Sequence, residues 1–363
     1  MEQLKLKEWQ KKKLIFWVVF LLTVAMVYLG CVSCFLYSDK QAEDAYWDYY
    51  LHESTEYTET EKTTMQDATV VTVGTYVETV NSIDMKNSEY TVTFRCWFKW
   101  LGDPSLDMSK YFEIYNGTVN RCELLETIRQ DGENYQLVRV NATISKTFWT
   151  TRFPLSSYQF RFYLKPIAPI QGIVFIPDME HSSVNEKLNL TGFELERNAV
   201  GLCIVREDSS KFGSPFESDE ILTYSEVMTA IELNRDTWGL YFKCIIALIG
   251  TNIWVLISVF VCAYHKVDSL NMIPAILFGT VSNILVGANL IPDAMYTGLL
   301  EYVNIWGIYT ILISTVIIIQ INRIRSEYQD HAFARKFGHI MFSLLLILTV
   351  LGYLILPVSA YRF

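Results

Sequence analysis

The sequence predicts an α+β membrane protein, in which an extracellular antiparallel β-sandwich is followed by a four-helix transmembrane bundle and preceded by one further apolar helix. Three observations predict this fold class. Of 363 residues, 51% are hydrophobic and 14% aromatic, yet 19% are charged, which is too many for a chain embedded throughout in lipid. The long apolar spans lie towards the two ends of the chain. The region between them alternates polar and apolar residues at the spacing of strands.

Five apolar spans approach the ~20 residues that a helix needs to cross a bilayer. They are 14–36, 240–264, 269–292, 303–321 and 338–356. A basic run at 11–13 precedes the first span and basic residues at 323–336 separate the last two, so the positive-inside rule places both segments in the cytoplasm. We therefore expect a multi-pass protein of the plasma (inner) membrane, with a short inner turn near 265–268 and residues 38–237 extracellular or periplasmic.

The first segment, residues 1–37, has two open interpretations. Its basic start, its apolar run and the small residues Gly30, Cys31 and Ser33 are typical of a secretory signal peptide. The apolar run is long for a signal peptide, which favours a retained transmembrane anchor. Both interpretations place the residues that follow on the outer side of the membrane.

Residues 38–67 are polar and acidic, with glutamates interleaved with threonines and serines. This composition predicts a solvated, partly mobile linker, because such a segment offers little apolar surface to bury.

The pattern changes at residue 68, and residues 68–237 are predicted to form the sandwich. Apolar and polar residues alternate along 91–98 and 158–164. Turn signals such as Asn116-Gly117 and Asp131-Gly132 separate these segments from further candidate strands. The other candidate strands lie near 69–80, 111–115, 136–148, 171–176, 190–206 and 221–235. About eight to ten strands without helical patterns between them indicate an antiparallel sandwich.

Catalytic and metal-binding patterns are not found in the sequence. The five histidines are scattered, and no HExxH spacing, phosphate-cradling glycine loop or Gly-x-Ser-x-Gly elbow occurs. The seven cysteines form no disulfide framework, and Cys96 lies on the apolar face of its strand, which favours a buried free thiol over a disulfide with Cys122. The acidic middle region argues against nucleic-acid binding. We therefore expect a protein that is not an enzyme and has no cofactor.

The last part of the chain, 238–363, contains four of the spans and is predicted to be the membrane bundle. Span 269–292 differs from a plain anchor because amides and small residues interrupt it. Such side chains at membrane depth usually face other protein or a water-filled path. One such helix cannot enclose a water-filled path by itself. We therefore expect several copies of the chain to surround a common pore.

Several motifs occur in a fixed order along the chain. Val73-Gly74 and Tyr76-Val77, with 82–84, are followed by the aromatic run 97–100 and by the segment 112–116. The proline loop 153–159 and the segment 190–194 come next, and the last motifs are 233–235 and 283–292. In this order they resemble the first and second strands, the first ligand loop, the signature proline loop with its following segment, and the ends of the last strand and of the pore helix in the pentameric ligand-gated ion channel family, in its bacterial type without the Cys-loop disulfide. The likeness covers about residues 68–357. Two departures are the absence of cysteine between residues 123 and 202, and Ser156 where the family has an aspartate.

The resemblance implies a homopentamer in a lipid bilayer, a small ligand or a proton sensed between neighbouring sandwiches, and a movement transmitted to the pore. Arg235 at the end of the last strand is expected to pair with Asp84, and Phe153 and Pro154 would belong to the same coupling region. An exposed interfacial arginine is the alternative interpretation of Arg235.

Alignment of the pore helix through Asn283 predicts an apolar stripe that faces the axis and forms a hydrophobic gate. The stripe comprises Leu270, Pro274, Leu277, Val281, Ile284 and Ala288. Asn283 itself is expected to pack against the next helix. Lys266 and Asp268 compete for the inner mouth, and the acidic outer region favours cations.

The aromatic candidates for a ligand site are Tyr115, Phe212, Phe216 and Tyr224, since aromatic boxes bind organic cations. The alternative stimulus is a proton, sensed at an acid such as Glu113 or Asp178. A gated channel is the first functional hypothesis. The second is a non-conducting membrane receptor or scaffold that keeps the channel fold and signals through segments 1–13 and 322–336.

Overall fold

The computed structural model describes residues 7–52, 56–188, 192–208, 221–235, 238–265, 267–273, 279–285 and 297–361, and of residues 50–52 and 235 it describes only the backbone. The chain divides into two compact units. The first comprises Met1–Ala42, Trp149–Ser156 and Trp238–Phe363, and the second comprises Glu43–Phe148 and Ser157–Thr237. The protein is therefore of mixed α/β class, as the sequence predicts at this coarse level.

Ten strands occur among the described residues of the second unit. They are β1 Thr69–Asp84, β2 Glu89–Leu101, β3 Phe112–Ile114, β4 Gly117–Gln130, β5 Glu133–Ser145, β6 Tyr158–Pro166, β7 Ile173–Pro177, β8 Ser183–Val184, β9 Phe193–Asp208 and β10 Ile221–Arg235. One sheet has the order β4-β5-β2-β1-β7, with β8 also on β1, and the other has the order β3-β6-β10-β9. Most pairs are antiparallel, but β7 and β8 run parallel to β1, which differs from the purely antiparallel expectation.

An extensive apolar core lies between the two sheets. Strand β2 shows why: Val92, Phe94, Cys96 and Phe98 alternate with more polar residues and are fully buried. The rings of Phe94 and Phe162 stack at 4.4 Å between the two sheets. Cys96 is a free, buried thiol, so that prediction is confirmed.

The sequence pattern does not predict the long edge strand β4. Twelve of its 14 residues are exposed, and the other two are only partly buried. The alternation that reveals a half-buried strand cannot arise where neither face is covered. Its antiparallel pairing with β5 shows it instead.

Five helices complete the fold as described: α1 Glu8–His52, α2 Glu59–Thr64, α3 Gly239–His265, α4 Leu299–Ser326 and α5 His331–Ala360. Of these, α1, α3, α4 and α5 are long and apolar enough to cross a membrane. The predicted span 269–292 lies partly outside the described residues. Its described parts are the 3-10 helix Leu270–Met272 and a helical stretch at 279–285.

The interpretation of 38–67 as a solvated linker is wrong for much of its length. Residues 38–52 continue α1, and Glu43 and Trp47 are 2% and 1% exposed in the second unit. The helix α2 follows, with a capping box between Thr58 and Glu61. The Glu61 carboxylate also pairs with Arg206 on β9 at 2.7 Å, so this acidic residue is fixed by a specific partner.

The apolar part of α1 packs on α4 within the first unit. The Tyr28 hydroxyl donates to the Tyr302 carbonyl oxygen at 2.7 Å, and the Tyr28 ring stacks on Trp306 at 5.7 Å. Near the other end, the Gln10 side chain donates to the Asp330 carboxylate at 2.6 Å. These contacts favour a retained anchor, since a cleaved signal peptide has no need of specific partners on a distant helix.

We predict that the mature protein keeps this anchor. Intact-mass measurement of protein purified from membranes should give a chain that still contains residues 14–36. A Tyr28→Leu variant should also be retained but lose the hydrogen bond to Tyr302, at a cost of about 1 kcal/mol in unfolding free energy. A purified chain that begins near Ser33 would contradict the prediction.

Candidate functional site

A lysine ammonium lies between two of the predicted aromatic ligand residues. The Lys165 Nζ is 4.1 Å from the centre of the Tyr224 ring and 5.4 Å from that of Tyr115. Both distances are within the ~6 Å over which a cation is attracted to a ring face. Tyr224 is buried, whereas Tyr115 is 56% exposed.

Strand pairing brings these side chains together. In the four-stranded sheet, β6 lies between β3 and β10, and Lys165 on β6 stands opposite Glu113 on β3. Tyr115 directly follows β3, and its N–H donates to the Tyr163 carbonyl of β6 at 3.1 Å. Strand β10 pairs with β9, which places Leu222 opposite Glu207.

Carboxylates surround the same ammonium. The Lys165 Nζ lies 2.6 Å from Glu207 Oε1 and 3.4 Å from Glu113 Oε1, and its side chain is only 7% exposed. Burial lowers the pKa of Lys165, but the hydrogen bond to Glu207 and the charges of Glu207 and Glu113 outweigh burial and raise that pKa overall. Lys165 is therefore a fixed cation of the site.

A third acid, Glu226 on β10, lies buried near this cluster and is 1% exposed. Burial raises the pKa of Glu226 to about 7; the charge of Lys165 opposes this shift, and Glu207 and Glu113 add to it. Its Oε1 has no hydrogen-bond partner among the described residues. Glu226 is therefore a carboxyl that changes its charge near neutral pH.

The predicted ligand residues are partly brought together. Glu113, Tyr115 and Tyr224 all lie around Lys165, while Phe212 and Phe216 lie outside the described residues. Sequence reasoning missed Lys165, Glu207 and Glu226, because charged residues on strands normally indicate a solvated face. The sequence does not show that β3 pairs with β6, and this pairing places Glu113 beside Lys165.

The second proton candidate, Asp178, has a different environment. Its carboxylate accepts hydrogen bonds from Trp97 Nε1 at 3.0 Å and Lys99 Nζ at 3.1 Å, and lies 2.8 Å from His181 Nδ1. Burial raises the pKa of Asp178, but these partners outweigh burial and hold that pKa well below its usual range. Asp178 is thus ionised at neutral pH and is a poor proton sensor there.

The predicted coupling residues fall in both units. Phe153 and Pro154 are joined by a cis peptide bond and are buried in the first unit. Next to them, the Thr151 carbonyl accepts from the Leu299 N–H at 2.7 Å, at the start of α4. In the second unit, the Asp84 carboxylate accepts from the backbone N–H and the side chain of Asn87. The Arg235 side chain lies outside the described residues, so its pairing with Asp84 stays a prediction.

The described part of the pore segment, 279–285, has two distinct sides. Thr280 and Asn283 are 2% and 3% exposed, and Asn283 Nδ2 donates to Asn304 Oδ1 on α4 at 2.8 Å. The expectation that Asn283 packs against the next helix is therefore confirmed. Val281 and Ile284, both on the predicted gate stripe, are 54% and 41% exposed.

The remaining pore residues are described only in part. Leu270 is half-buried, and Asp268 is exposed, with its Oδ1 accepting from the Leu270 N–H and from Asn322 Nδ2 on α4. Pro274, Leu277, Ala288 and Lys266 lie outside the described residues. Asp268 is thus held in place by α4, whereas the predicted competition with Lys266 stays a prediction.

The fold defines a mixed α/β protein, and the described part of the chain contains four helices long and apolar enough to span a membrane. Comparison with protein-family models and with curated proteins finds no match for this chain. Within the described ranges, no group of three or more histidine, cysteine, aspartate or glutamate side chains could hold a metal ion.

Proposed function

We propose that this protein is the subunit of a homopentameric ion channel in the plasma membrane, gated by a small ligand or by protons, with residues 68–237 forming the extracellular sensing domain. The observation that carries the proposal is the division of the segment 279–285. Two of its polar side chains, Thr280 and Asn283, are buried against protein, whereas Ser282 is exposed together with the apolar Val281 and Ile284.

A ring of apolar side chains is able to close a pore without a physical plug. Water leaves a narrow apolar constriction. Ions then cannot enter it, because they would have to give up their hydration shells. Val281 and Ile284 are three positions apart, so they lie on one face of a helix. Five copies around an axis would place them as two successive apolar rings.

The sensing part supports the same proposal. The cluster of Lys165, Tyr115 and Tyr224 joins aromatic faces to titratable acids, and Glu226 changes charge near neutral pH. The chain also carries a net charge of -9, which concentrates cations near its surface. We therefore favour selectivity for cations over selectivity for anions.

The test is electrical recording from full-length protein in planar bilayers, from acidic to neutral pH and with small organic cations. We expect unitary currents, and a larger resting current from Ile284→Ser, because a hydroxyl at the constriction lets water remain. Leu285→Ser is the matched control, since Leu285 is also exposed but lies off the predicted stripe.

A non-conducting receptor or scaffold is the second candidate, because an exposed apolar face at Val281 and Ile284 also suits contact with a neighbouring chain without a water path. Native mass spectrometry separates the outcomes. A pentamer that is silent in all variants would reject the channel and favour the scaffold, and a monomer in mild detergent would count against both.

A further inference from the structure

We infer that the Lys165 ammonium is a built-in ligand of the cation site that Tyr115 and Tyr224 form, and that this site accepts a free primary alkylammonium ion once Lys165 is shortened. The inference rests on the proposed function only in treating this cluster as the sensing site. Its evidence is the geometry around Lys165, and its test needs no ion current.

The ring contacts show that the ammonium occupies the place of a ligand. At 4.1 Å from the Tyr224 ring centre and 5.4 Å from that of Tyr115, the Nζ lies where an organic cation would lie between the two rings. A second cation cannot approach Tyr224 as closely while Lys165 remains, since two ammonium groups repel one another and the site is 92% buried at that tyrosine.

The surrounding acids are suited to an ammonium. Glu207 and Glu113 contact the Nζ at 2.6 and 3.4 Å, and an ammonium offers three N–H donors. Glu226 adds a buried acceptor oxygen, Oε1, that has no partner among the described residues. Three carboxyl groups therefore gather around one cation, and a quaternary ammonium, which has no N–H, would satisfy none of them by hydrogen bonds.

With this arrangement, we expect that a soluble organic cation does not bind the wild-type protein at the tyrosines. The chain supplies the cation itself, at an effective concentration that a dissolved ligand does not match. An external stimulus at this site must therefore act on the bond between Lys165 and its carboxylates, or displace the lysine.

The experiment uses full-length protein in detergent and n-propylammonium chloride as the probe. Lys165→Ala removes three methylene groups and the ammonium, which n-propylammonium replaces atom for atom. Titration calorimetry should show binding to Lys165→Ala at least about tenfold tighter than to wild type, as expected for one recovered cation–π contact and one charge-assisted hydrogen bond.

Two controls separate this from non-specific binding. Lys165→Met fills the space without a charge and should bind no better than wild type, and 1-propanol should bind neither variant. Equal propylammonium binding by wild type, Lys165→Ala and Lys165→Met would overturn the inference. Silent bilayers together with ammonium rescue would reject the channel and keep this site, so the two failures are distinguishable.

A second measurement applies if Lys165→Ala does not fold. Mass spectrometry should show slower acetylation of Lys165 than of the exposed Lys110 in wild type, and Tyr115→Leu should accelerate it about threefold, because a ring contact is lost. Tyr115→Phe keeps the ring and should leave the rate unchanged. The half-exposed position of Tyr115 tolerates both changes. Equal rates in the Leu and Phe variants would overturn the inference.

Discussion

Replacing Trp47 with alanine is expected to lower the free energy of unfolding of the second unit by about 3 kcal/mol or more. Trp47 is 1% exposed and packs in a small core with Met228 and Ala230 on the outer side of the four-stranded sheet. Truncation removes a large apolar side chain from this core and leaves a cavity, which is the most damaging kind of core substitution.

Two arginines add to the expected loss. The Arg197 guanidinium lies 4.7 Å from the centre of the Trp47 ring and that of Arg161 lies 5.2 Å from it. Arg197 also pairs with the buried Glu232, so removal of the ring exposes this ion pair to water. A desolvated cation–π contact contributes up to about 2 kcal/mol.

Hydrogen exchange along β9 and β10 is the appropriate measurement, because it reports opening of this sheet without unfolding of the membrane helices. Trp47→Phe is the matched control; it keeps an aromatic ring at the site and should cost clearly less than alanine. If the β10 amides exchanged as slowly in the alanine variant as in wild type, the end of α1 would not stabilise the sheet.

The same tryptophan shows where sequence reasoning failed and why. The buried positions of α1 follow one helical stripe, at Leu21, Ala25, Leu29, Val32 and Leu36, and Trp47 continues it. Between them the stripe passes through Glu43, an acidic residue that is 2% exposed and whose carboxylate accepts a hydrogen bond from Ser157. A hydropathy pattern ends at such a residue, although the helix does not.

Strand alternation predicted the core of the sheets but not the candidate site. Phe94 and Phe162 are recognisable from period-two spacing, because a buried face needs apolar residues at every second position. Lys165 and Glu226 break that expectation. The buried Lys165 pairs with Glu113 on β3 and Glu207 on β9, which are distant in sequence, and no local pattern encodes such partners. Asn283 was predictable because an amide at membrane depth needs a partner.

The second large effect concerns Glu226 and pH. Its folded pKa of about 7 lies above its usual value of 4.5, so the folded protein binds the proton more tightly than the unfolded chain does. The stabilisation is fully present below pH 4.5 and is lost as the pH rises to about 7. One pKa unit corresponds to about 1.4 kcal/mol, so the total loss is about 3 kcal/mol.

Glu226→Gln should remove this loss, because glutamine imitates the protonated acid at every pH. The midpoint temperature of thermal unfolding of the second unit should fall for wild type as the pH rises from 4.5 to about 7, and it should stay constant for the variant. Above pH 7 the variant should be the more stable protein. A wild-type curve that is flat, or a variant curve that still falls, would contradict the assignment to Glu226.

Glu61 supplies a control of the opposite sign. The hydrogen bond from Arg206 lowers the pKa of Glu61 to about 2, although burial opposes the shift. Its stabilisation is therefore present above pH 4.5 and is lost as the pH falls towards 2. Glu61→Gln should destabilise the protein at neutral pH yet keep the wild-type slope between pH 4.5 and 7. A slope lost in Glu226→Gln but kept in Glu61→Gln identifies the acid beside Lys165 as the group that titrates.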